Sequence, residues 1–341
     1  MNILSLVRKN IQTLRPYSTA RDEYEGTAEV YLDANENPFP SAFNRYPDPH
    51  QRKLKQSISA LKNVPSENIF LGNGSDEAID LIIRAFCEPA TDSILITEPT
   101  YGMYAVCAGI NNVTIKVARL NTAFDLDLQA VNQLLDSSVK IIFLCSPNNP
   151  TGNLLSKGMV HSLLTGFNGI VVIDEAYIDF ASDVGFLPLL NKYPNLVVLQ
   201  TFSKAWGLAG LRLGMAFASE TIIAVLNKIK YPYNISVITQ QTALKSISTE
   251  LKDKQVELIK HERNKLMEQL TGISGVIKIY PSDANFLLVK CTDAKGLYNH
   301  LLNRGIIVRD RSTVALCDGC LRITVGTPEE NTKLMIALKN L

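Results

Sequence analysis

The sequence has almost no surplus of charge: 34 Lys and Arg against 33 Asp and Glu leave a formal net charge of +1. No run of Lys or Arg offers the footprint of a phosphate backbone or an anionic membrane surface, so nucleic acid and membrane are not expected partners. Long apolar runs are also missing. Nothing approaches the roughly 20 residues of a membrane span, and MNILSLVRKN lacks the continuous apolar stretch of a signal peptide. The expectation is a cytoplasmic protein. There are 4 histidines and 6 cysteines, and only Cys317 and Cys320 share a C-x-x-C spacing. With no second pair and no nearby histidine to complete four ligands, no metal is expected and the thiols read as free. Internal repeats and low-complexity tracts are absent.

At 341 residues the chain exceeds the size at which one hydrophobic core usually stops growing, which favours a large domain with a smaller one. Short apolar runs alternate with helical patterns through the first two thirds, an α/β signature. The expected strands are NIFLG, DSILIT, VTIKVA, VKIIFLC, GIVVID, NLVVLQ and LRLGMAFA. Several are too continuously apolar to have a solvated face, as in a mostly parallel sheet covered on both sides. Beyond Tyr231-Pro232-Tyr233 a long charged helical region, roughly Val237 to Leu270, precedes VIKIY, NFLLVK, GIIVRD and LRITVG. These read as a second, smaller α/β unit with its helices on one side of a small sheet. The expected division is an arm over 1–35 packing with the small domain, a large domain over 36–235 and a small domain over 236–341.

Four polar clusters stand where expected strands end, the place where open α/β sheets hold ligands. Gly72-Asn73-Gly74-Ser75-Asp76 follows NIFL, Ser146 to Gly152 (SPNNPTG) follows VKIIFLC, Asp174-Glu175-Ala176-Tyr177 follows GIVVI, and Thr201-Phe202-Ser203-Lys204 follows NLVVLQ. A Gly-x-Gly turn feeding a helix exposes backbone N–H groups at the positive end of the helix dipole, which suits a phosphate. The dinucleotide fingerprint is broken by Glu77 in place of its third glycine, and no P-loop is present, so neither NAD nor ATP is expected. Singly, each cluster could be an ordinary turn, cap or solvated charge. Jointly, a carboxylate, an amide, a phenol, a lysine and a phosphate cradle converge on one crevice.

SPNNPTG, DEAY and TFSKAWGLAGLRLG resemble the signatures of fold type I, class I and II aminotransferases that depend on pyridoxal phosphate. ANENPFP, NRYPDP, PTYGMY, YPYNIS, DANFLLV, GIIVRDRS and LRITVGTPEEN are further similar to the histidinol-phosphate aminotransferase branch, so the resemblance runs from Arg15 to Asn331. It implies a large domain with a mostly parallel seven-stranded sheet and a smaller α/β C-terminal domain. By the same resemblance Lys204 forms the Schiff base and shuttles the proton, and a neighbouring cation such as Arg212 would help to keep its amine neutral. Asp174 would keep the pyridine nitrogen protonated, so that the ring accepts electrons. Tyr177 and Asn148 would bond the ring's phenolic oxygen, and Tyr101 would stack on the ring. The phosphate would be held by Gly74, Ser75, Asp76, Ser203 and the Arg212 fork, with Asp76 acting as a backbone donor and helix N-cap. Tyr46 of the R-Y-P motif would reach the cofactor phosphate of a partner subunit, implying a homodimer with shared active sites.

For the substrate anion the resemblance points to Arg322, with Arg309, Tyr17 of the arm and Asn35 beside it. Several charge-assisted donors suit a dianionic phosphate better than a lone carboxylate. The reaction so implied is amino transfer between L-histidinol phosphate and 2-oxoglutarate or glutamate. Aromatic amino-acid aminotransferases and threonine-phosphate decarboxylases use the same apparatus. A regulator that binds the cofactor without turnover would be expected to carry a helix-turn-helix segment, for which the short arm before ANENP leaves no room.

Overall fold

A computed structural model of the chain describes residues 1–22 and 28–340. Seven strands form the large sheet: β1 (Ile69–Asn73), β2 (Ser93–Glu98), β3 (Thr114–Arg119), β4 (Val139–Cys145), β5 (Ile170–Asp174), β6 (Leu196–Thr201) and β7 (Leu213–Ala218). Their order is β1-β7-β6-β5-β4-β2-β3. Every pairing among β3, β2, β4, β5 and β6 is parallel, and β7 alone runs against both of its neighbours.

Strand periodicity divides this sheet's side chains between two cores. Phe70, Ile96, Phe143, Val172, Leu199 and Ala216 face one side, whereas Leu71, Leu95, Ile142, Ile173, Val198 and Met215 face the other. All are essentially fully buried, each large one contributing about 1.5–3 kcal/mol of transfer free energy. That two-sided burial is why these runs carry no polar alternation.

The helices of the large unit are α1 (Lys9–Thr13), α2 (Arg52–Lys62), α3 (Gly74–Phe86), α4 (Met103–Ile110), α5 (Leu128–Leu134), α6 (Lys157–Gly166) and α7 (Glu220–Ile229). In α3, Ile79, Ile82, Ile83 and Phe86 recur on one face and are buried against the sheet. The arm's first turns depart from expectation. Ile3, Val7 and Ile11 enter the same core as α3 and α7, and the Arg8 N–H donates to Ala85 O, so this segment packs on the large unit rather than the small one. The apolar spacing at 3, 7 and 11 makes one buried stripe, and the nearest apolar surface belongs to α3 and α7.

The charged helical stretch is two helices, α8 (Val237–Ser246) and α9 (Thr249–Thr271), broken where the Ser248 side chain caps α9 through the Leu251 N–H. Ile235, Ala243 and Val256 all belong to the core beneath the large sheet, so packing is continuous across residue 235.

The small sheet has the order β10-β11-β9-β8 and is wholly antiparallel, with β8 (Val276–Ile279), β9 (Phe286–Cys291), β10 (Arg309–Asp310) and β11 (Cys320–Thr324). GIIVRD therefore gives only two ladder residues; Gly305 lies at φ 72° and Ile307 is 80% exposed, outside the sheet. Along β9, Leu287, Val289 and Cys291 face a third core with α9, α10 (Ala294–Leu302) and α11 (Pro328–Lys339). Phe286 and Leu288 face the other way, into the core beneath the large sheet. The helices thus lie on one side of the small sheet because its other side docks on the large unit.

Candidate active site

The carboxyl ends of β4, β5 and β6 and the start of α3 surround a cavity of about 200 Å³. Gly74, Ser75, Asp76, Tyr101, Asp174, Tyr177, Ser203, Lys204 and Arg212 all line it, so nine residues expected at the cofactor come together. The phosphate cup depends on close backbone approach. Gly74 sits at φ +71°, and a Cβ there would lie 2.7 Å from an Arg212 guanidinium nitrogen. A Cβ on Gly214 would lie 2.2 Å from Gly74 C and Ser75 N, so β7 passes the cup only as glycine. Arg212, itself left-handed at φ 51°, accepts the Gly74 N–H on its carbonyl at 2.8 Å.

Asp76 is not the N-cap. Asn73 holds that position, while Asp76 lies in the first turn of α3, accepts from the Tyr101 hydroxyl at 3.1 Å and sits 3.5 Å from Arg212. Glu77 closes the turn by accepting from the Asn73 N–H and side-chain amide and from Asn234. The guanidinium, the hydroxyl of Ser203 and the first N–H groups of α3 are a donor set that fits a phosphate. Thr201, named in its cluster but given no role by the sequence, fixes Ser203: its hydroxyl donates to Ser203 Oγ at 2.9 Å and accepts the Ser203 N–H at 3.0 Å.

Asp174 ends β5 and is 3% exposed. Its Oδ1 accepts the Ala176 N–H at 3.0 Å and its Oδ2 the Tyr104 hydroxyl at 2.8 Å. Burial pushes the carboxyl up to about 6, against the pull of those two hydrogen bonds. Glu175, the next residue, faces away from the cavity; it accepts from the Phe186 N–H and from Gln200 at 2.9 Å, and burial raises it to about 7.

Lys204 Nζ lies 5.7 Å from the centre of the Tyr177 ring and makes no hydrogen bond or ion pair among the described residues. Its pKa is lowered by burial first and by Arg322 second, with Asp174 and Asp76 opposing. Arg212, the example expected of a neighbouring cation, has a smaller effect than Arg322. Tyr177 is 7% exposed, its ring set edge-on to Phe286 at 5.1 Å, and burial raises its phenol.

Asn148 is a correction. Its amide donates to Pro99 O at 2.9 Å and to Thr151 Oγ at 2.7 Å, so it is spent on holding the loop. Asn149 lines the cavity instead, its amide 3.5 Å from the Tyr177 hydroxyl and its carbonyl accepting from Arg322. Adjacent loop residues point apart, and residue type alone cannot tell which of two asparagines turns inward. Arg322 reaches Asn149 from β11, over the Phe286 ring at 5.2 Å. Arg309 pairs with it across the ladder and is exposed, and Arg311 lies near Tyr177 and Arg309. Arg311 Nε and Arg322 Nε are buried without a partner among the described residues.

Tyr17, Asn35 and Tyr46 are not brought to the cavity by this chain. Tyr17 is 74% and Tyr46 49% exposed, Tyr46 stacks on Tyr233 at 4.4 Å, and Asn35 is an exposed residue at φ 53°. Cys317 and Cys320 are buried free thiols.

Residues 23–338 match the family model for aminotransferase class I and II. The chain is 57% identical over 340 residues to a histidinol-phosphate aminotransferase of Cytophaga hutchinsonii, covering 98% of each, and 56% identical over 341 residues to one of Parabacteroides distasonis, covering 100% of this chain and 99% of that one. Among solved structures it superposes on the histidinol-phosphate aminotransferase of Clostridium acetobutylicum with a TM-score of 0.81 at 27% identity, covering 87% of this chain and 90% of the other. On that match and those identities, the chain belongs to the class I and II aminotransferase family.

Proposed function

We propose that this chain moves an amino group between L-histidinol phosphate and 2-oxoglutarate with pyridoxal phosphate as cofactor, as a step of histidine biosynthesis. The observation that carries the cofactor is the amine of Lys204, which has no hydrogen-bond or ion-pair partner among the described residues and stands over the Tyr177 ring in one cavity with Asp174, Gly74 and Arg212. When bound, the cofactor supplies an aldehyde for the amine and an electron sink for the carbanion. The protein's own residues do the rest. Lys204 holds the cofactor and moves the proton at the substrate carbon, and its lowered pKa favours the neutral amine that this needs. Asp174 offers a carboxylate to the ring nitrogen. Asn149 and Tyr177 orient the ring oxygen, and Ser203, Arg212 and the α3 terminus hold the phosphate.

For the substrate, Arg309, Arg311 and Arg322 from the β10–β11 edge support a dianionic phosphate in one half-reaction and a glutamate carboxylate in the other. The names of relatives at 57% and 56% identity support the same substrate. The test is amine exchange by the cofactor-loaded protein with L-histidinol phosphate, phenylalanine, tyrosine and threonine phosphate in parallel. Histidinol phosphate is expected to give the highest kcat/KM. Faster aromatic exchange would overturn the substrate, carbon dioxide release from threonine phosphate would indicate decarboxylation, and no absorbance change on adding pyridoxal phosphate would overturn the cofactor.

A homodimer with shared sites is part of this proposal. Leu32 is 87%, Phe39 77%, Phe43 60% and Tyr231 78% exposed, as are Tyr17 and Tyr46, large apolar side chains that a second copy would cover. Mixing inactive Tyr46→Ala and Lys204→Ala chains is expected to restore activity in hybrids that carry one intact site; no recovery in verified hybrids would contradict sharing. The cytoplasmic assignment is supported by six cysteines that are all free and buried, as a reducing compartment maintains them.

A further inference from the structure

Tyr104 lies beneath the cup on α4, in a helix whose composition reads as plain core. It is fully buried, its ring stacked on Phe143 at 4.8 Å and 13° and set edge-on to Tyr101 at 5.6 Å. Phenylalanine would fill that slot equally well. A hydroxyl in a dry site costs free energy unless it finds an acceptor, and this one finds Asp174 Oδ2 at 2.8 Å. The two stacked rings fix the direction of the phenolic C–O bond, and burial holds the phenol well above its ordinary titration range, so it stays a donor.

Resting on the reading of the cavity as a pyridoxal phosphate site, we propose that Tyr104 is a positioning residue of the reaction: its hydroxyl keeps Asp174 ionised and fixes the carboxylate so that its free lone pairs face the cavity. The groups around Asp174 leave few substitutes. From its own turn comes the Ala176 N–H; from β4 the buried thiol of Cys145; from α3 the like charge of Asp76; and from the loop after β6 the amine of Lys204. The last is the amine that holds the cofactor, and its charge is then not available to Asp174. Tyr104 is thus the one side-chain donor to this carboxylate among the described residues.

The test begins on the cofactor-free protein, so that it does not depend on the cavity's assignment. The Asp174 carboxyl carbon, identified by its loss in Asp174→Asn, is titrated by NMR in wild type and Tyr104→Phe. The midpoint is expected to rise by about one unit, the effect of one charge-assisted hydrogen bond. The half-saturating pyridoxal phosphate concentration at pH 6, where a one-unit shift takes the ionised fraction from about a half to about a tenth, is expected to rise about fivefold, with melting within a few degrees of wild type. Phe143→Leu, which loosens the stack and leaves the hydroxyl, is expected to lower Tm without moving the midpoint. Should Tyr104→Phe fail to fold, 3-fluorotyrosine at 104, a stronger donor, is expected to move the midpoint down. An unmoved midpoint in either variant would overturn the proposal. Failure of the wild type to bind pyridoxal phosphate would instead overturn the reading of the cavity, with the titration still deciding the role of Tyr104.

Discussion

The active-site cavity and the arm joint each bury a carboxylate, and they treat it in opposite ways. Asp174 has one hydroxyl and one backbone N–H as hydrogen-bond partners, and burial lifts it to about 6. Glu36, its side chain 3% exposed, is also pushed up by burial, but the Tyr46 N–H, Arg45 and Arg21 together bring it down to about 2. A carboxylate paired with two guanidinium groups is finished as it stands; it ties the arm to the R-Y-P loop. A carboxylate without a full cationic partner gains most from a bound cation, and a protonated ring nitrogen is one. The difference sets Asp174, which lines the cavity, apart from Glu36, which is closed by two guanidinium groups, although both side chains are buried and both lie beside expected cofactor residues.

The largest effect that would break this division is at Lys204. Lys204→Ala is expected to reduce amine exchange by about 10⁴-fold while cofactor phosphate still binds, measured by turnover and by equilibrium dialysis. Retained turnover would remove the lysine from its role. Arg322→Ala should come next, lowering kcat/KM for both substrates by about 10- to 100-fold through loss of charge-assisted bonds. Arg309→Ala should weaken histidinol phosphate more than glutamate.

The two asparagines sharpen the comparison between facing a ligand and holding a loop. Asn149→Ala is expected to lower kcat/KM about tenfold or more and shift its pH profile, because Tyr177 and Arg322 lose a shared partner. Asn148→Ala should cost about 1–3 kcal/mol of stability in denaturant titrations with an unchanged pH profile.

The smallest effects lie in the pH dependence of cofactor-free stability, and they have opposite signs in the two regions. Asp174 and Glu175 titrate above their unfolded values, so the folded state holds their protons longer, and stability is lost as pH rises from about 4 through 6 to 7. Asp174→Asn should therefore melt higher than wild type at pH 8 and alike near pH 4. Glu36 titrates below its unfolded value, so its contribution is present above about 4.5 and is lost as pH falls toward 2. Glu36→Gln should flatten that acid limb in thermal melts.

The large sheet was legible because two-sided burial leaves strands as unbroken apolar runs, and all seven were found within a residue or two. That these residues meet in one cavity was legible because they stand at strand ends. What escaped has physical reasons. GIIVRD has the composition of a strand, but only Arg309 and Asp310 find ladder partners. Asn148 and Asn149 are one residue type in adjacent positions, and only the turn decides which faces inward. Tyr104 sits in an apolar helix where its hydroxyl signals nothing until β5 brings Asp174 against it. The arm's stripe at Ile3, Val7 and Ile11 is buried on the large unit, and apolar spacing by itself does not say which unit covers it.

The most direct measurement is amine transfer from L-histidinol phosphate to 2-oxoglutarate by cofactor-saturated wild type and Asp174→Asn at equal occupancy. The predicted result is efficient exchange in the wild type and a loss of about 10³-fold or more in the variant, the scale expected when a preorganised charge is removed from a reacting centre. Wild-type rates in Asp174→Asn, or no exchange by the wild type, would contradict it.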